Sequence, residues 1–162
     1  MDLRVIEPEG STYAGELDLR YRVLRAPLGY SRNQVPFPFE KESLHLVALD
    51  GDRVVGCVIF HPTADGMTGR LYQMAIDPAQ QRRGLGRRLV LHLEEELRRR
   101  GLEEVTLHSR QYAVGFYERL GYRCFGEPFT EVGIPHRHMR RSLVAGVREQ
   151  AKKTTPQEDG QP

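Results

Sequence analysis

QQRRGLGRRLVLHLEEELRRRG, running from Gln80 to Gly101, sets Gly84 and Gly86 among Arg82, Arg83, Arg87 and Arg88 and then continues into helix-forming residues. From there Leu85, Leu89, Leu93 and Leu97 recur four apart with Val90 beside them, which predicts an amphipathic helix with one core-facing stripe. Glu94, Glu95 and Glu96 stand four residues before Arg98, Arg99 and Arg100 in the favourable acid-first order, each pair worth about 0.2–0.5 kcal/mol at a solvated surface. Gly101 supplies the C-terminal stop. Upstream, RLYQMAID reads as a strand ended by Pro78, which can donate no ladder hydrogen bond. Strand, glycine-rich turn and helix N-terminus make a physical recipe for binding phosphate. The first helical turn leaves backbone N–H groups without partners, and the helix dipole adds partial positive charge there. Gly84 and Gly86 remove the Cβ atoms that would hold an anion away, and the arginines surround the turn with charge.

Composition narrows this reading. At 162 residues the chain is long enough for one domain with a real core, and 39% hydrophobic with 28% charged residues is an ordinary soluble composition. A formal net charge of +2 is too small to argue for nucleic acid by itself, so any cationic function lies in a local patch. Cys57 and Cys124 lie far apart without metal-ligand spacing; they read as two reduced, packed thiols of a cytosolic protein, a disulfide between them being left open. No stretch is long and apolar enough to span a membrane, and MDLRVIEPEG lacks the apolar region of a signal peptide, so a cytoplasmic location is expected.

Working outward, LRVIEP reads as a first strand, and Glu16 to Arg25 as a helix with Leu17, Tyr21 and Leu24 on one face. APLGYSRNQVPFPFE gathers prolines and aromatics into a loop. SLHLVALDGDRVVGCVIF is a hairpin, two apolar runs joined through Asp50-Gly51. EVTLHS reads as a strand, AVGFYERLG as a short helix closed by Gly121, and YRCFGEPF and HRHMRRSL as two closing strands. From about Gly146 the chain has little to bury, which predicts a domain over residues 1–145 and a polar, disordered tail over 146–162. Helices inserted between strands, with an antiparallel hairpin near the start, indicate a mixed α/β sheet.

Three phosphate-binding loop types compete for the glycine turn. The Walker pattern needs Gly-Lys-Ser/Thr where Gly86-Arg87-Arg88 stands, and the dinucleotide fingerprint lacks its third glycine. IDPAQQRRGLG, by contrast, resembles the acyl-CoA signature of the GNAT superfamily of N-acetyltransferases. Gln81, Gly84 and Gly86 match its core, and Ile76 and Pro78 stand in the expected places upstream. Downstream, AVGFYERLGY is similar to the later helix of that family, whose pattern is Ala-x-x-Phe-Tyr-x-x-x-Gly-Phe/Tyr. Two motifs in the proper order make the identification, which covers roughly Leu44 to Leu143. FTEVGIPHRHM, and YRVLRAPLG near the start, are similar to the ElaA-like branch.

The resemblance implies a GNAT-like mixed, mostly antiparallel central sheet flanked by helices and splayed between two central strands, with acyl-CoA in the opening. It implies that the backbone of Met74, Ala75 and Ile76 pairs with the pantetheine arm, and that Gln81, Arg82, Arg83, Gly84, Leu85, Gly86 and Arg87 form the pyrophosphate seat. Arg110 stands three residues before Ala113, where many members carry a pantetheine-binding asparagine. The implied reaction is direct attack by a neutral amine, a small molecule or a peptide, on acetyl-CoA as co-substrate. Tyr117 would protonate the departing thiolate, and Glu131, His136, His138 or water would take the amine's proton. In isolation Tyr117 reads as an amphipathic core residue, and Phe116 beside it as core. His136 and His138 share a strand face, but without a further Cys or His ligand close in sequence no metal is expected. Neither nucleic acid nor membrane is expected as a partner, and a homodimer is left open. The competing classes are a non-catalytic acyl-CoA sensor, which would bind CoA without turnover, and a nucleic-acid binder using the arginine patch, which would show steep salt dependence.

Overall fold

A computed structural model describes residues 1–144; the expected tail at 146–162 lies outside the described residues. The described residues form a mixed α/β fold whose seven strands make a mostly antiparallel sheet with helices flanking it. Its strands are β1 (Asp2–Ile6), β2 (Leu44–Asp50), β3 (Arg53–Pro62), β4 (Thr68–Ile76), β5 (Glu104–Arg110), β6 (Arg123–Glu131) and β7 (Ile134–Ser142). The helices are α1 (Gly10–Arg20), α2 (Leu85–Arg99) and α3 (Val114–Arg119). The described residues fall into two compact units: residues 1–61 with 71–96, and residues 62–70 with 97–144. Among the described residues, no helix is long and apolar enough to cross a membrane.

In the first unit β1, β2, β3 and β4 are neighbours in that order. The β2–β3 hairpin turns through Gly51 and Asp52, Gly51 taking φ +63°, as the Asp-Gly signal requires. Ala48 pairs with Gly56 and Leu49 with Val54, so Val55 is an extra residue in β3. Gly56 lies against α2: a Cβ there would meet a Leu89 methyl at 3.0 Å. Val54 lies against α1, 3.1 Å from where a Cβ on Gly15 would stand. Each glycine thus lets a helix approach the sheet closely. The predicted stripe of α2 is buried from Leu85 to Leu97. Glu94 is buried as well, which corrects the expectation of a wholly solvated acidic face.

α1 departs from its expected form. It begins six residues earlier than predicted, at Gly10, and its last turn widens into a π-helical segment at Tyr21–Arg25. Leu17, Tyr21 and Leu24 are only half-buried, while the fully buried positions are Glu16, Leu19 and Arg20. A hydrophobicity pattern cannot find that face, because two of its three residues are charged. Leu19 joins Val47, Leu49, Val54, Cys57 and Ala75 in the core of this unit.

In the second unit β5 pairs with β7 and β6 with β7, both antiparallel. β5 alternates cleanly, burying Val105, Leu107 and Ser109 and turning Thr106, His108 and Arg110 to its other face. α2 and α3 close in the same way. Leu102 N–H donates to the Leu97 carbonyl and Gly101 N–H to Arg98, just as Tyr122 donates to Tyr117 and Gly121 to Glu118. Gly101 and Gly121 sit at φ +85° and +98°, the left-handed residue that this helix stop demands. Cys57 and Cys124 are both free thiols.

Candidate functional site

The glycine turn is built from its flanks inward. At the end of β4, the Asp77 N–H donates to the Val55 carbonyl at 2.9 Å, and its carboxylate accepts from Ala79 N–H at 2.9 Å and from Arg53 at 2.9 Å. Asp77 is buried and anchors the start of the turn, a role that sequence reading passed over although Asp before Pro is a recognised turn signal. Gln81 reaches back to donate to the Ile76 carbonyl at 3.1 Å, so its side chain braces the turn. Arg82 and Gly84 both take left-handed φ, +65° and +81°. Arg88 N–H makes its bond to the Gly84 carbonyl, which makes Gly84 the residue capping α2. The N–H groups of Leu85, Gly86 and Arg87 therefore lie in the first turn, ahead of any intrahelical acceptor. A Cβ on Gly84 would meet nothing within 4 Å, so the space over the backbone is open. Arg82, Arg83, Arg87 and Arg88 are exposed around it. Backbone donors, positive dipole end, clearance and cations coincide at one place, the arrangement that suits a multiply charged phosphate ligand.

Immediately upstream, Gln73 interrupts β4 with φ +45°, a backbone region that costs a non-glycine residue about 1–2 kcal/mol. Met74, Ala75 and Ile76 follow this kink. Strand alternation gave no hint of it.

In the second unit, Glu131 ends β6, which runs two residues past the predicted YRCFGEPF strand; Val132 and Gly133 make the two-residue turn into β7. Around Glu131 the sheet gathers three histidines. His108 Nδ1 lies 2.7 Å from Glu131 Oε1, and Arg70 lies 2.6 Å from the same nitrogen and 3.8 Å from the carboxylate. His136 Nε2 is 3.9 Å from Glu131 Oε2, while its Nδ1 donates to the Ile134 carbonyl at 2.8 Å. His138 pairs with His108 across β5 and β7, their rings 4.7 Å apart edge to face, and Phe129 stacks on His138 at 4.2 Å. Burial raises the Glu131 pKa, but the His108 hydrogen bond and the charges of His108, Arg70 and His136 outweigh it and hold the carboxyl below its usual range. Burial, with Arg70 and His138, holds His108 below the usual imidazole range despite Glu131. At neutral pH this is a carboxylate beside a neutral imidazole; each has a free site for a proton, and the depressed pKa of each makes it a weaker base than its free counterpart. His108 was not singled out in the sequence. The signal was there, since its position on the open face of β5 follows from alternation, but its partners follow only from the pairing with β7.

Tyr117 is buried in α3, edge to face with Phe116 at 5.0 Å and with Tyr122 at 5.7 Å. Burial pushes its phenol well above the ordinary range, so it keeps its proton at neutral pH. Arg110 is half-buried at the end of β5, its guanidinium 3.5 Å from the Tyr112 hydroxyl. The structure thus brings Met74 to Ile76 and Gln81 to Arg87 together in the first unit, and places Arg110, Tyr117 and Glu131 in the second.

Residues 30–143 match the family model described as an acetyltransferase (GNAT) domain. The uncharacterized N-acetyltransferase YjcF of Bacillus subtilis (strain 168) is 32% identical over 103 residues, 63% of this chain and 72% of that protein. Against two other curated relatives the matched region spans only about half of their length, 55% and 48%. A protein of Lactobacillus plantarum, provisionally named an N-acetyltransferase, has a crystal structure that superposes with a TM-score of 0.78 at 25% identity, over 89% of this chain and 100% of that one. Escherichia coli ElaA superposes at 0.76 over 86% and 98%, with 18% identity, a likeness of fold. The match to the family model covers most of the chain, both sequence motifs lie inside it, and the chain belongs to the GNAT family of acetyltransferases.

Proposed function

We propose that this chain transfers an acetyl group from acetyl-CoA to an amine, a small molecule or a peptide, by direct attack. The observation that carries the reading is the glycine turn: open backbone at Gly84, four exposed arginines and a helix start, in a member of an acetyltransferase family. The backbone of Met74, Ala75 and Ile76 would pair with the pantetheine arm. The N–H groups of the turn through Arg87, with Arg82, Arg83 and Arg87 side chains, would hold the pyrophosphate, Gln81 bracing the turn from below. Arg110 occupies the motif position of a pantetheine contact.

In the reaction the amine nitrogen bonds to the thioester carbonyl carbon as the C–S bond breaks. A backbone N–H of the strand following Gln73 would hold the developing oxyanion. Alkyl amines have pKa values near ~10.4, so the acceptor must lose a proton. Glu131 takes it, with His108 beside the carboxylate to pass it on. Tyr117 gives its proton to the thiolate; a phenol with a pKa at or above ~10 remains protonated beside a thiol of ~8.5.

The first test is a thermal shift. Acetyl-CoA at a hundred times Kd should stabilise the protein by about 2.7 kcal/mol, with ATP and NAD far weaker. Equal shifts with all three would remove the assignment. A panel of amines, polyamines and peptides followed by thiol release then identifies the acceptor. On that acceptor Tyr117→Phe should lower kcat by roughly 10²–10⁴ with acetyl-CoA affinity retained. An unchanged kcat would return Tyr117 to the core.

A further inference from the structure

Four ionisable side chains meet in the interior of the first unit. Arg20 and Glu16 of α1, Glu40 and His45 are all buried. Arg20 directs its guanidinium donors in five directions: Nε to Gln73 Oε1 at 2.8 Å, NH1 to Glu16 at 2.8 Å and to Glu40 at 3.1 Å, NH2 to Glu40 at 2.6 Å and to the Val35 carbonyl at 3.4 Å. That exhausts what an arginine can donate. His45 donates from Nδ1 to Glu16 at 2.9 Å and from Nε2 to the Glu40 carbonyl at 2.8 Å. Both partners only accept, so the ring carries both protons. Tyr13 closes the outer side with a 2.5 Å bond to Glu40. Glu16, Glu40 and His45 have ligand atoms within 4.8 Å of one another, a spacing that a metal could use. The guanidinium already stands between the carboxylates, however, and a doubly protonated imidazole offers no lone pair. This is a finished ionic cluster.

Clusters of this kind stabilise poorly, because desolvation offsets most of the attraction and apolar replacements often do as well. What this one supplies is a fixed point. From it the Arg20 Nε bond reaches Gln73, the residue at which β4 kinks. The Gln73 amide also faces the Val35 carbonyl at 3.5 Å, and its own carbonyl accepts from Cys57 Sγ at 3.6 Å. Tyr72 and Gln73, consecutive in sequence, both reach the segment around Val35 and Phe37, where regular alternation would send them to opposite faces. The next residues are Met74 to Ile76. We propose that Arg20 and Gln73 are positioning residues for the acyl-CoA thioester: their bond, anchored in the buried cluster, holds the kink that sets the backbone direction of Met74. The inference rests on the reading that this part of β4 pairs with the acyl arm.

The test uses two probes that reach different parts of the site. Acetyl-CoA would extend from the glycine turn to the kink; 3′-phospho-ADP would reach the turn alone. Gln73→Met keeps the side chain's length and removes the acceptor for Arg20, while Gln73→Glu keeps an acceptor oxygen. In Gln73→Met, acetyl-CoA affinity by calorimetry should fall by roughly tenfold, the scale of one or two misaligned backbone hydrogen bonds. Affinity for 3′-phospho-ADP should stay within about twofold, as for an independent contact. Gln73→Glu should recover most of the acetyl-CoA affinity. If both probes weaken together, or neither does, Gln73 is a structural residue and the proposal falls. If the unsubstituted protein binds neither probe, the acyl-CoA reading itself is wrong, and that outcome is separate from the other two.

Discussion

The protein builds two clusters from the same three side-chain types and uses them in opposite ways. Around Arg20, carboxylates, guanidinium and imidazole are sealed from solvent, and the donors of Arg20 and of His45 are committed to acceptors. Around Glu131 the same chemistry is left ajar. The carboxylate side chain is 39% exposed, and Arg70 and Glu131 converge on a single nitrogen of His108. A closed cluster fixes geometry because moving any member strands a buried charge. An open one can exchange a proton with a substrate because solvent compensates the change in charge. Similar composition therefore serves shape in one place and chemistry in the other.

The contrast is sharpest in stability. Arg20→Met leaves the buried Glu16 and Glu40 carboxylates with only the His45 imidazolium between them, and should destabilise the fold by about 3–5 kcal/mol in denaturant titrations. A loss below 1 kcal/mol would mean that the closed cluster is not closed in solution. Glu131→Gln should behave the other way round, lowering kcat roughly a hundredfold or more while moving the denaturation midpoint far less than Arg20→Met, its carboxylate being half-exposed. If it mainly destabilised, Glu131 would belong with the structural cluster.

pH separates the clusters next. For His45 burial favours the neutral ring, but the Glu16 hydrogen bond and charge and the Glu40 carbonyl outweigh it and raise the pKa above 6.5. Its contribution is complete below pH 6.5 and is lost as pH climbs through the folded value, at up to about 1.4 kcal/mol per pH unit. His108 and Glu131 are depressed, so their contributions are present above about pH 6.5 and 4.5 respectively and are lost as pH falls through their folded values. Denaturation midpoints across pH should therefore show an alkaline decline that His45→Gln removes. They should also show an acid decline to which His108→Gln contributes. An alkaline limb unchanged in His45→Gln would contradict the doubly protonated ring.

The smallest effect concerns the turns beside these clusters. Gly51 opens its hairpin at φ +63° without strain, whereas Val132, directly after Glu131, holds a β-branched side chain at φ +47°. Val132→Gly should stabilise the protein by about 1 kcal/mol. Should kcat fall at the same time, the stiff turn helps to aim Glu131; if kcat holds, the strain is incidental.

Much of this molecule was legible in the amino-acid order. The α2 stripe, the Asp-Gly hairpin, the glycine stops at Gly101 and Gly121 and the open turn at Gly84 all express short-range rules, in which a residue's own backbone freedom or a spacing of four settles the matter. The family motifs lie in those same local segments, so the family was readable as well. Other features needed the folded chain. The buried face of α1 is charged, and burial of Glu16 and Arg20 is tolerable only because Glu40 and His45 arrive from residues far along the sequence. The kink at Gln73 and the placing of His108 beside Glu131 are likewise set by partners from other elements. Local sequence carries conformational preference, but the cost of burying a charge depends on which opposite charges stand within a few ångströms, and only tertiary structure fixes that distance.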